Sequence, residues 1–384
     1  MITTNVKSTA GSAVLQRLPR KPARLRWAVG LAIVATTSLA QAAEPALANG
    51  KTQAFRGAML SAEQVTDERL ATLRSSGIGA IALELRGGDQ RERERKACQR
   101  IVAANLDLCY WIEVARCKEL ADQHPAWMAS LQGHQEWRRL FKDPPVPGEN
   151  EVVKVHPWVP ILNQEPFQAQ LDRVRGLLES LPAAKVVFLN DLQGAPSACG
   201  CGNNLCRWTS DYGKIRTSTP IEKDAAQAFV VAVKKTASTS RIIPVWTTEC
   251  EEADGAHDGP CAGVGCYRGI CWKAYTKQLT PVAEQCETLG VLLPYRDWGR
   301  DLPRYGEPAG WIESAVTSFA VMPARHQAEP VSASRLIAVV QGWDVTETQL
   351  NQQLEAARRS GVSGVLVCFA KVEQAWQPRL YRWK

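Results

Sequence analysis

Residues 336–370 read LIAVVQGWDVTETQLNQQLEAARRSGVSGVLVCFA, and this stretch carries the pattern that decides the fold. It opens with an apolar run rich in β-branched residues, Leu336–Trp343, which predicts a buried strand. Leucine and alanine then recur at helical spacing behind a threonine cap, which predicts a helix over Thr346–Ser360. A second apolar run follows at Gly361–Ala370. The stretch therefore predicts a strand–helix–strand unit.

The same alternation of strand and helix recurs along the chain. The predicted strands are Arg56–Leu60, Ala80–Leu85, Leu106–Val114, Lys185–Asp191, Arg241–Glu249, Gly290–Asp297, Leu336–Trp343 and Gly361–Ala370. Eight such units in a row predict an α/β fold, a (β/α)8 barrel of the TIM type. No Gly-x-Gly-x-x-Gly turn follows the first strand, which disfavours a dinucleotide-binding doubly wound sheet.

Two connections, 115–184 and 250–289, are far longer than one helix and a turn require. In a parallel barrel these insertions leave the carboxyl ends of the strands, the face where active sites are built. We interpret Val152–Ile161 as a β excursion outside the barrel; counted as a barrel strand, it would shift the later strand numbers by one. Two further helices are predicted over Ala62–Ser76, with Ser61 as a possible N-cap, and over Phe167–Leu181.

The first 42 residues follow the order of a secretory signal. Five Arg and Lys residues between Arg17 and Arg26 precede an uncharged, mostly apolar run at Ala28–Ala40, and small residues then surround Ala42. The apolar run of ~13 residues is shorter than the about 20 that cross a bilayer, and an uncleaved anchor is the alternative. We therefore predict a secreted or periplasmic protein without stable membrane insertion after cleavage. Its parts are a signal peptide at 1–42 cleaved near Ala42, a linker at 43–55 and a single barrel domain at 56–384.

Removal of the signal changes the charge balance. The full chain has 46 basic and 39 acidic residues and a formal net charge of +7. Six basic residues and no acidic ones lie in residues 1–42, which leaves 40 basic residues against 39 acidic ones. Because polyanion binding needs a standing excess of Lys and Arg, no nucleic-acid partner is expected.

Six of the eight predicted strands end in an acid on the same side of the barrel. These acids are Glu84, Glu113, Asp191, Glu249, Asp297 and Asp344. A cup of carboxylates suits hydrolysis of a glycosidic bond, in which one carboxylic acid protonates the leaving oxygen and a second attacks carbon or activates water. For any single acid the alternative role is structural, as a helix cap or as a partner of Arg86, Arg116 or Arg296.

Tryptophans at the same strand ends favour a sugar ligand, because indole faces stack on the C–H faces of pyranose rings. The substrate-binding candidates are Glu84, Trp111, Asn190, Trp246, Arg296, Trp298, Gln341, Trp343 and Asp344, while Trp158, Trp208 and Trp272 lie in the long loops. The alternative is that these rings pack the top of the barrel beneath the loops.

Three short stretches stand out: the first follows the third predicted strand, the second ends the seventh, and the third opens the eighth. They are His124-Pro125-Ala126-Trp127-Met128, Gln341-Gly342-Trp343-Asp344 and Gly361-Val362-Ser363-Gly364. They resemble the glycoside-hydrolase-like (β/α)8 barrel families of secreted bacterial proteins, and the resemblance extends to the layout of most of the mature chain. The largest clan of retaining barrel glycosidases has Asn-Glu at the fourth strand and Glu at the seventh, whereas this chain has Asn190-Asp191 and Gln341.

A different retaining clan, which includes α-galactosidase-type enzymes, has Asp at the ends of strands four and six. Asp191 and Asp297 match that placement. The resemblance therefore implies Asp191 as nucleophile or base and Asp297 as acid, with Glu249 and Glu113 as the next catalytic candidates. The separation of the two carboxyl groups decides between retention and inversion, and the sequence leaves both open.

Cysteine gives the sharpest local pattern. Eight of the 12 cysteines lie in loops that would meet at the top of the barrel: Cys117, Cys199, Cys201, Cys206, Cys250, Cys261, Cys266 and Cys271. In an exported protein they predict loop disulfides, each stabilising by ~2–4 kcal/mol; a zinc site and an iron–sulfur centre are the alternatives. The other four, Cys98, Cys109, Cys286 and Cys368, fall in predicted helices or strands. Cys98 and Cys109 could pair, and any thiol left over would be buried and inert.

The sequence as a whole predicts an exported glycoside-hydrolase-like protein that acts on a carbohydrate without a cofactor. Only five His occur, and none forms a His-x-His or His-x-x-x-His pair, so a catalytic metal is not expected. No Gly-x-Ser-x-Gly elbow is present either, which disfavours a serine hydrolase. The alternatives are a non-catalytic carbohydrate-binding barrel and a cysteine-ligated metal or redox protein.

Overall fold

A computed structural model describes residues 54–129, 145–192, 225–247, 272–293, 329–371 and 377–382, with parts of 310–320. These residues belong to one compact unit. The predicted signal peptide at 1–42 lies outside the described residues, as does the linker except for its last two positions. Among the described helices, none combines the length and the apolar character needed to cross a membrane.

Eight parallel strands close into a barrel, which confirms the predicted fold class. The ten described strands are β1 (Phe55–Leu60), β2 (Ala80–Glu84), β3 (Asp107–Glu113), β4 (Glu151–His156), β5 (Val186–Asn190), β6 (Arg241–Thr247), β7 (Leu289–Leu293), β8 (Leu336–Gln341), β9 (Gly364–Cys368) and β10 (Gln377–Arg382). All except β4 and β10 pair in chain order, and β9 pairs with β1 to complete the barrel. Each of the eight predicted barrel strands is present.

Helices connect the strands, as expected for alternating units. They are α1 (Asp67–Ser75), α2 (Arg91–Ala103), α3 (Lys118–Gln123), α4 (Gln164–Glu179), α5 (Ala225–Thr236), α6 (Trp272–Gln285) and α7 (Glu347–Arg359). The predicted cap of α7 is confirmed: the Thr346 hydroxyl accepts a hydrogen bond from the Gln349 amide, and the Gln349 side chain accepts one from the Thr346 amide. The helix predicted over Ala62–Ser76 is instead a 3-10 turn followed by α1, because Thr66 caps a new helix.

Side chains of each strand alternate between the barrel interior and the helix layer. On β3, Cys109 and Trp111 pack in the interior cluster, whereas Leu108, Tyr110 and Ile112 pack against the helices. The rings of Trp111 and Phe188 lie 6.0 Å apart, centroid to centroid, inside the barrel. This alternation directs the next interior position of each strand, at its carboxyl end, toward the mouth of the barrel.

The insertion at 115–184 contains the predicted β excursion. Within it, β4 pairs antiparallel with β10 in a separate two-stranded sheet, so the excursion is not a barrel strand. The sequence did not predict β10. The chain returns to the barrel beside its point of departure, where the Val159 amide donates to the Ala115 carbonyl at 2.8 Å and Arg116 forms a β-bridge with Trp158.

The cysteines within the described residues have free thiols. The possible Cys98–Cys109 pairing is wrong, because Cys98 packs in the helix layer and Cys109 in the barrel interior, on opposite sides of the wall. Burial raises the pKa of Cys98, Cys286 and Cys368 and raises that of Cys109 to about 12. These four thiols are thus buried and inert, as predicted for cysteines left unpaired.

Cys117 also has a free thiol, which donates to the Glu119 carboxylate at a distance of 3.4 Å. The other seven disulfide candidates, Cys199, Cys201, Cys206, Cys250, Cys261, Cys266 and Cys271, lie outside the described residues. Loop disulfides among those seven stay a prediction.

Barrel closure gives the first testable prediction. Gly364 pairs with Phe55 on β1 and with Ile337 on β8, and a Cβ atom there would lie 2.6 Å from the Phe55 carbonyl oxygen. Because the backbone has to shift, Gly364→Ala should lower the free energy of unfolding by about 3 kcal/mol. The measurement is urea unfolding followed by circular dichroism.

The control is Gly176→Ala in α4, where an added Cβ meets no described atom within 4 Å. A helix gains from this change, so the free energy of unfolding should rise by about 0.5–1 kcal/mol. Equal stability of the two variants would contradict this account of barrel closure.

Candidate active site

The carboxyl ends of four strands each present a polar residue at an interior position. Each of these residues stands two places beyond a side chain of the interior cluster, and together they are Glu84 on β2, Glu113 on β3, Asn190 on β5 and Gln341 on β8. All four residues are buried. A polar layer above an apolar barrel core, at the strand ends, is where barrel enzymes carry their active sites.

Glu113 is the centre of this layer. Its carboxylate accepts hydrogen bonds from the Trp111 indole at 2.8 Å and from the Asn190 amide at 2.9 Å. It also forms an ion pair with Arg116 at 3.1 Å, in which both side chains are only 11% exposed. The three partners are all donors, which suits an acceptor-only carboxylate.

Glu84 stands on the neighbouring strand in a different environment. Burial raises the pKa of Glu84, and the negative charge of Glu113 raises it further, while Arg86 and Arg116 act against this. Arg86 contacts Glu84 at 3.1 Å, but the Arg86 side chain is 57% exposed. Glu84 therefore keeps its proton to a higher pH than an ordinary carboxyl group, in the field of a second carboxylate.

Two buried donors at this end of the barrel lack hydrogen-bond partners among the described residues: Arg116 Nη1 and Trp343 Nε1. The Arg116 guanidinium lies 5.9 Å from the ring centroid of Trp158, while the Trp343 ring packs in the interior cluster. Arg116 follows β3 and Trp343 follows β8, and these strands stand opposite each other in the closed strand order. Buried donors of this kind are suited to a ligand that brings acceptor oxygens.

Two aspartates at strand ends have unusual backbone conformations. Asp191 follows β5 with φ of 65°, and Asp344 follows β8 with φ of 51°. This left-handed region is costly for residues other than glycine and recurs at active sites and ligand clamps. Asp191 is buried and Asp344 is exposed, so the structure places both predicted acids at the mouth.

Two predicted binding tryptophans are not available for stacking on a ligand. Trp246 is fully buried in the helix-facing cluster, because its neighbour Val245 takes the interior position of β6. Trp111 is fully buried inside the barrel, where it supports Glu113. Both rings are packed in the hydrophobic core, Trp246 on the helix side of the barrel wall and Trp111 on the interior side, so neither has the stacking role predicted for it.

Four predicted site residues lie outside the described residues: Glu249, Arg296, Asp297 and Trp298. Their roles stay predictions. Among the other predicted site residues, Asn190 and Trp111 donate hydrogen bonds to the Glu113 carboxylate. The charge of Glu113 also raises the pKa of Glu84. Sequence reasoning had named Arg116 only as a structural partner and Trp158 only as a loop residue.

The fold and site together define an eight-stranded parallel (β/α)8 barrel with a carboxylate-bearing mouth. No protein-family model matches the sequence, and no curated protein matches it. Solved structures with a similar fold include beta-galactosidase from the psychrophilic Marinomonas ef1, at 11% identity over 82% of this chain and 53% of that one, with a TM-score of 0.46.

A beta-glucosidase named 1317 is similar at 11% identity over 80% of this chain and 77% of that one, with a TM-score of 0.40. An HpcH/HpaI aldolase from Desulfitobacterium hafniense DCB-2 is similar at 9% identity over 82% and 86%, with a TM-score of 0.35. Barrels of this kind catalyse unrelated reactions, so the fold alone does not define the activity of this chain.

The buried pair predicts a stability effect. Glu113→Gln leaves the Arg116 guanidinium buried without its counter-charge, so the free energy of unfolding should fall by about 3 kcal/mol in urea denaturation at neutral pH. The control is Glu63→Gln, whose partner Arg93 and own side chain are both about half exposed. That exposed pair should contribute less than about 1 kcal/mol; equally small losses in both variants would contradict the role assigned to Glu113.

The raised pKa of Glu84 predicts that the free energy of unfolding depends on pH. Because its folded pKa is raised above the ordinary value of 4.5, its contribution to stability is full below that value and is lost as the pH rises through the folded pKa. Glu84→Gln carries no proton to lose. The free energy of unfolding of this variant relative to the wild type should therefore increase from about pH 4 to pH 8. A difference that stays flat or decreases over that range would argue against a raised pKa of Glu84.

Proposed function

We propose that this protein is an exported glycoside-hydrolase-like enzyme that cleaves a glycosidic bond of a carbohydrate at the mouth of its (β/α)8 barrel. The observation that supports this most directly is the pair of Glu84 and Glu113. The two carboxyl groups stand at the ends of adjacent strands, the charge of Glu113 raises the pKa of Glu84, and the two groups have different hydrogen-bond partners. A carboxyl group whose environment favours its protonated form is a candidate for the general acid.

In this proposal Glu84 is the proton donor. Glycosidic cleavage needs a carboxylic acid that is still protonated when the substrate binds, so that it can protonate the leaving oxygen. Burial of Glu84 raises its pKa, and the contact with Arg86 only partly offsets this effect. The exposed Arg86 guanidinium stands beside Glu84 at the edge of the mouth.

Glu113 is the second carboxyl group of the proposed pair. Its three donors, Trp111, Asn190 and Arg116, hold a carboxylate in a fixed orientation. Such a group can attack the anomeric carbon or activate a water molecule, depending on its separation from the acid. Asp191 directly follows Asn190 and stays a candidate for the same role, with Asp297 and Glu249 as further proposed acids.

The unpartnered donors supply substrate binding. Arg116 Nη1 and Trp343 Nε1 are buried and have no hydrogen-bond partner among the described residues. A sugar offers several hydroxyl oxygens on one small ring, and these can accept from donors on opposite walls of the mouth. Asn190, Gln341 and Asp344 are proposed to line the same site, with Arg296 and Trp298 as further candidates.

The activity test uses Glu84→Gln and Glu113→Gln against a panel of polysaccharides, whose sugar leaving groups need protonation. Loss of a general acid should lower kcat at least about 100-fold, and Glu355→Gln on the exposed face of α7 should leave it unchanged. Because Glu84→Gln is expected to fold as stably as the wild type at neutral pH, its loss of turnover would not come from unfolding. Full turnover by Glu84→Gln would refute the assignment of Glu84.

Wild-type protein that binds a glycan without hydrolysing it would identify a carbohydrate-binding barrel instead. Isothermal titration calorimetry with the same polysaccharides separates the two cases. For the hydrolase, glycan affinity should survive in Glu84→Gln while product formation stops, since the acid acts in the transition state more than in binding.

Export is part of the proposal and rests on the sequence of residues 1–42. Amino-terminal sequencing of the protein recovered from periplasm or medium should start near Ala43; a chain that keeps Met1 would contradict cleavage. On the same sample, a thiol count under denaturing, non-reducing conditions tests the loop disulfides. Free thiols at all 12 cysteines would exclude those disulfides.

A further inference from the structure

The end of β3 is held from outside the barrel by side chains of α4. Arg173 Nη2 donates to the carbonyl oxygen of Glu113 at 2.6 Å and to that of Val114 at 3.1 Å. Gln170 Nε2 lies 3.5 Å from the next carbonyl oxygen, that of Ala115. Two side chains one helical turn apart therefore bind three successive carbonyl groups at the point where the chain leaves the sheet.

The same two side chains also bind each other and the returning chain. Gln170 is fully buried; its carbonyl accepts from Arg173 Nε at 2.9 Å, and its amide donates to the Val159 carbonyl at 3.1 Å. Val159 is paired with Ala115 through its own amide. This bracket, Arg173 with Gln170, thus joins the outgoing segment that carries Arg116 to the returning segment that carries Trp158.

We propose that Arg173 and Gln170 are positioning residues that set the place of the Glu113–Arg116 ion pair relative to Glu84. The last barrel hydrogen bond on this side runs from the Val114 amide to the Asn190 carbonyl at 2.9 Å. At this point the backbone carbonyl groups bind the side chains of the bracket instead of a neighbouring strand. As a statement about catalysis, the inference rests on the proposed function, but the placement of Glu113 can be tested without turnover.

The chemistry of the guanidinium explains why an arginine serves here. Its planar fork can donate to two carbonyls and to the Gln170 side chain at the same time, whereas a lysine offers a single ammonium without that geometry. Loss of the fork would leave the Glu113 and Val114 carbonyls without these bonds and allow the strand end to move. The Glu113 carboxylate would then move away from Glu84 or become hydrated.

The test measures the pKa of Glu84, because the negative charge of Glu113 raises this pKa. Carbon-13 NMR of glutamate-labelled protein gives the titration midpoint of the Glu84 carboxyl group, assigned by its absence in Glu84→Gln. In Arg173→Met the midpoint should fall by about 0.3–1 pH unit, because the carboxylate that raises it is displaced. Arg175→Met is the control, since Arg175 is on the same helix and pairs with Asp172 at its surface; it should leave the midpoint unchanged.

A merely structural role predicts a different result. It would lower the melting temperature of Arg173→Met and leave the Glu84 midpoint where it is, and that outcome would overturn the proposal. In a Glu113→Gln background the carboxylate is already absent, so Arg173→Met should have no further effect on the midpoint. A shift of the same size in that background would also overturn it.

Arg173→Lys provides a second route if the methionine variant does not fold. It keeps the positive charge but loses the fork, so the midpoint should fall in the same direction by a smaller amount. An unchanged midpoint in folded Arg173→Lys would refute the positioning role. Because no step of this test needs hydrolysis, a failure of the proposed function and a failure of the bracket give separate results.

Discussion

The buried ion pair of Glu113 with Arg116 is the interaction on which the site depends. Both groups are withdrawn from water, and a charge in that position is costly unless its partner and its hydrogen bonds are in place. The Trp111 indole and the Asn190 amide satisfy the carboxylate from within the barrel. From outside, Arg173 of the α4 bracket binds the backbone carbonyl of the same glutamate, and Gln170 binds that of Ala115. The pair is thus built into the wall of the barrel, where the packing that stabilises the fold also orients the carboxylate.

This arrangement explains how two glutamates of the same chemistry can differ. Glu84 is buried beside one exposed arginine, whereas Glu113 faces three donors. The negative charge of Glu113 also makes ionisation of Glu84 harder, so each group helps to define the other. The proposed hydrolysis would use this asymmetry, with Glu84 as the proton donor.

The eight barrel strands were predictable because parallel strands buried on both faces read as short runs of Val, Ile and Leu. The strand β10 was not, because Gln377–Arg382 is largely polar and is defined only by its pairing with β4. The sequence indicates where each strand ends but not which side chains point into the barrel, because an error of one residue in the strand position moves every side chain to the other face of the sheet. This is why Trp246 was assigned to the mouth. The sequence alone indicates a binding role for Glu84, because the two effects that raise its pKa, burial and the nearby charge of Glu113, exist only in the folded chain.

The central claim is that Glu84 is the proton donor of the site, beside the buried Glu113–Arg116 ion pair. The most direct measurement is a carbon-13 NMR titration of the Glu84 carboxyl group in the wild-type protein and in Glu113→Gln. The account predicts a Glu84 midpoint above the ordinary value of 4.5, which falls when the charge of Glu113 is removed. A Glu84 midpoint at or below 4.5 that ignores the substitution would contradict it.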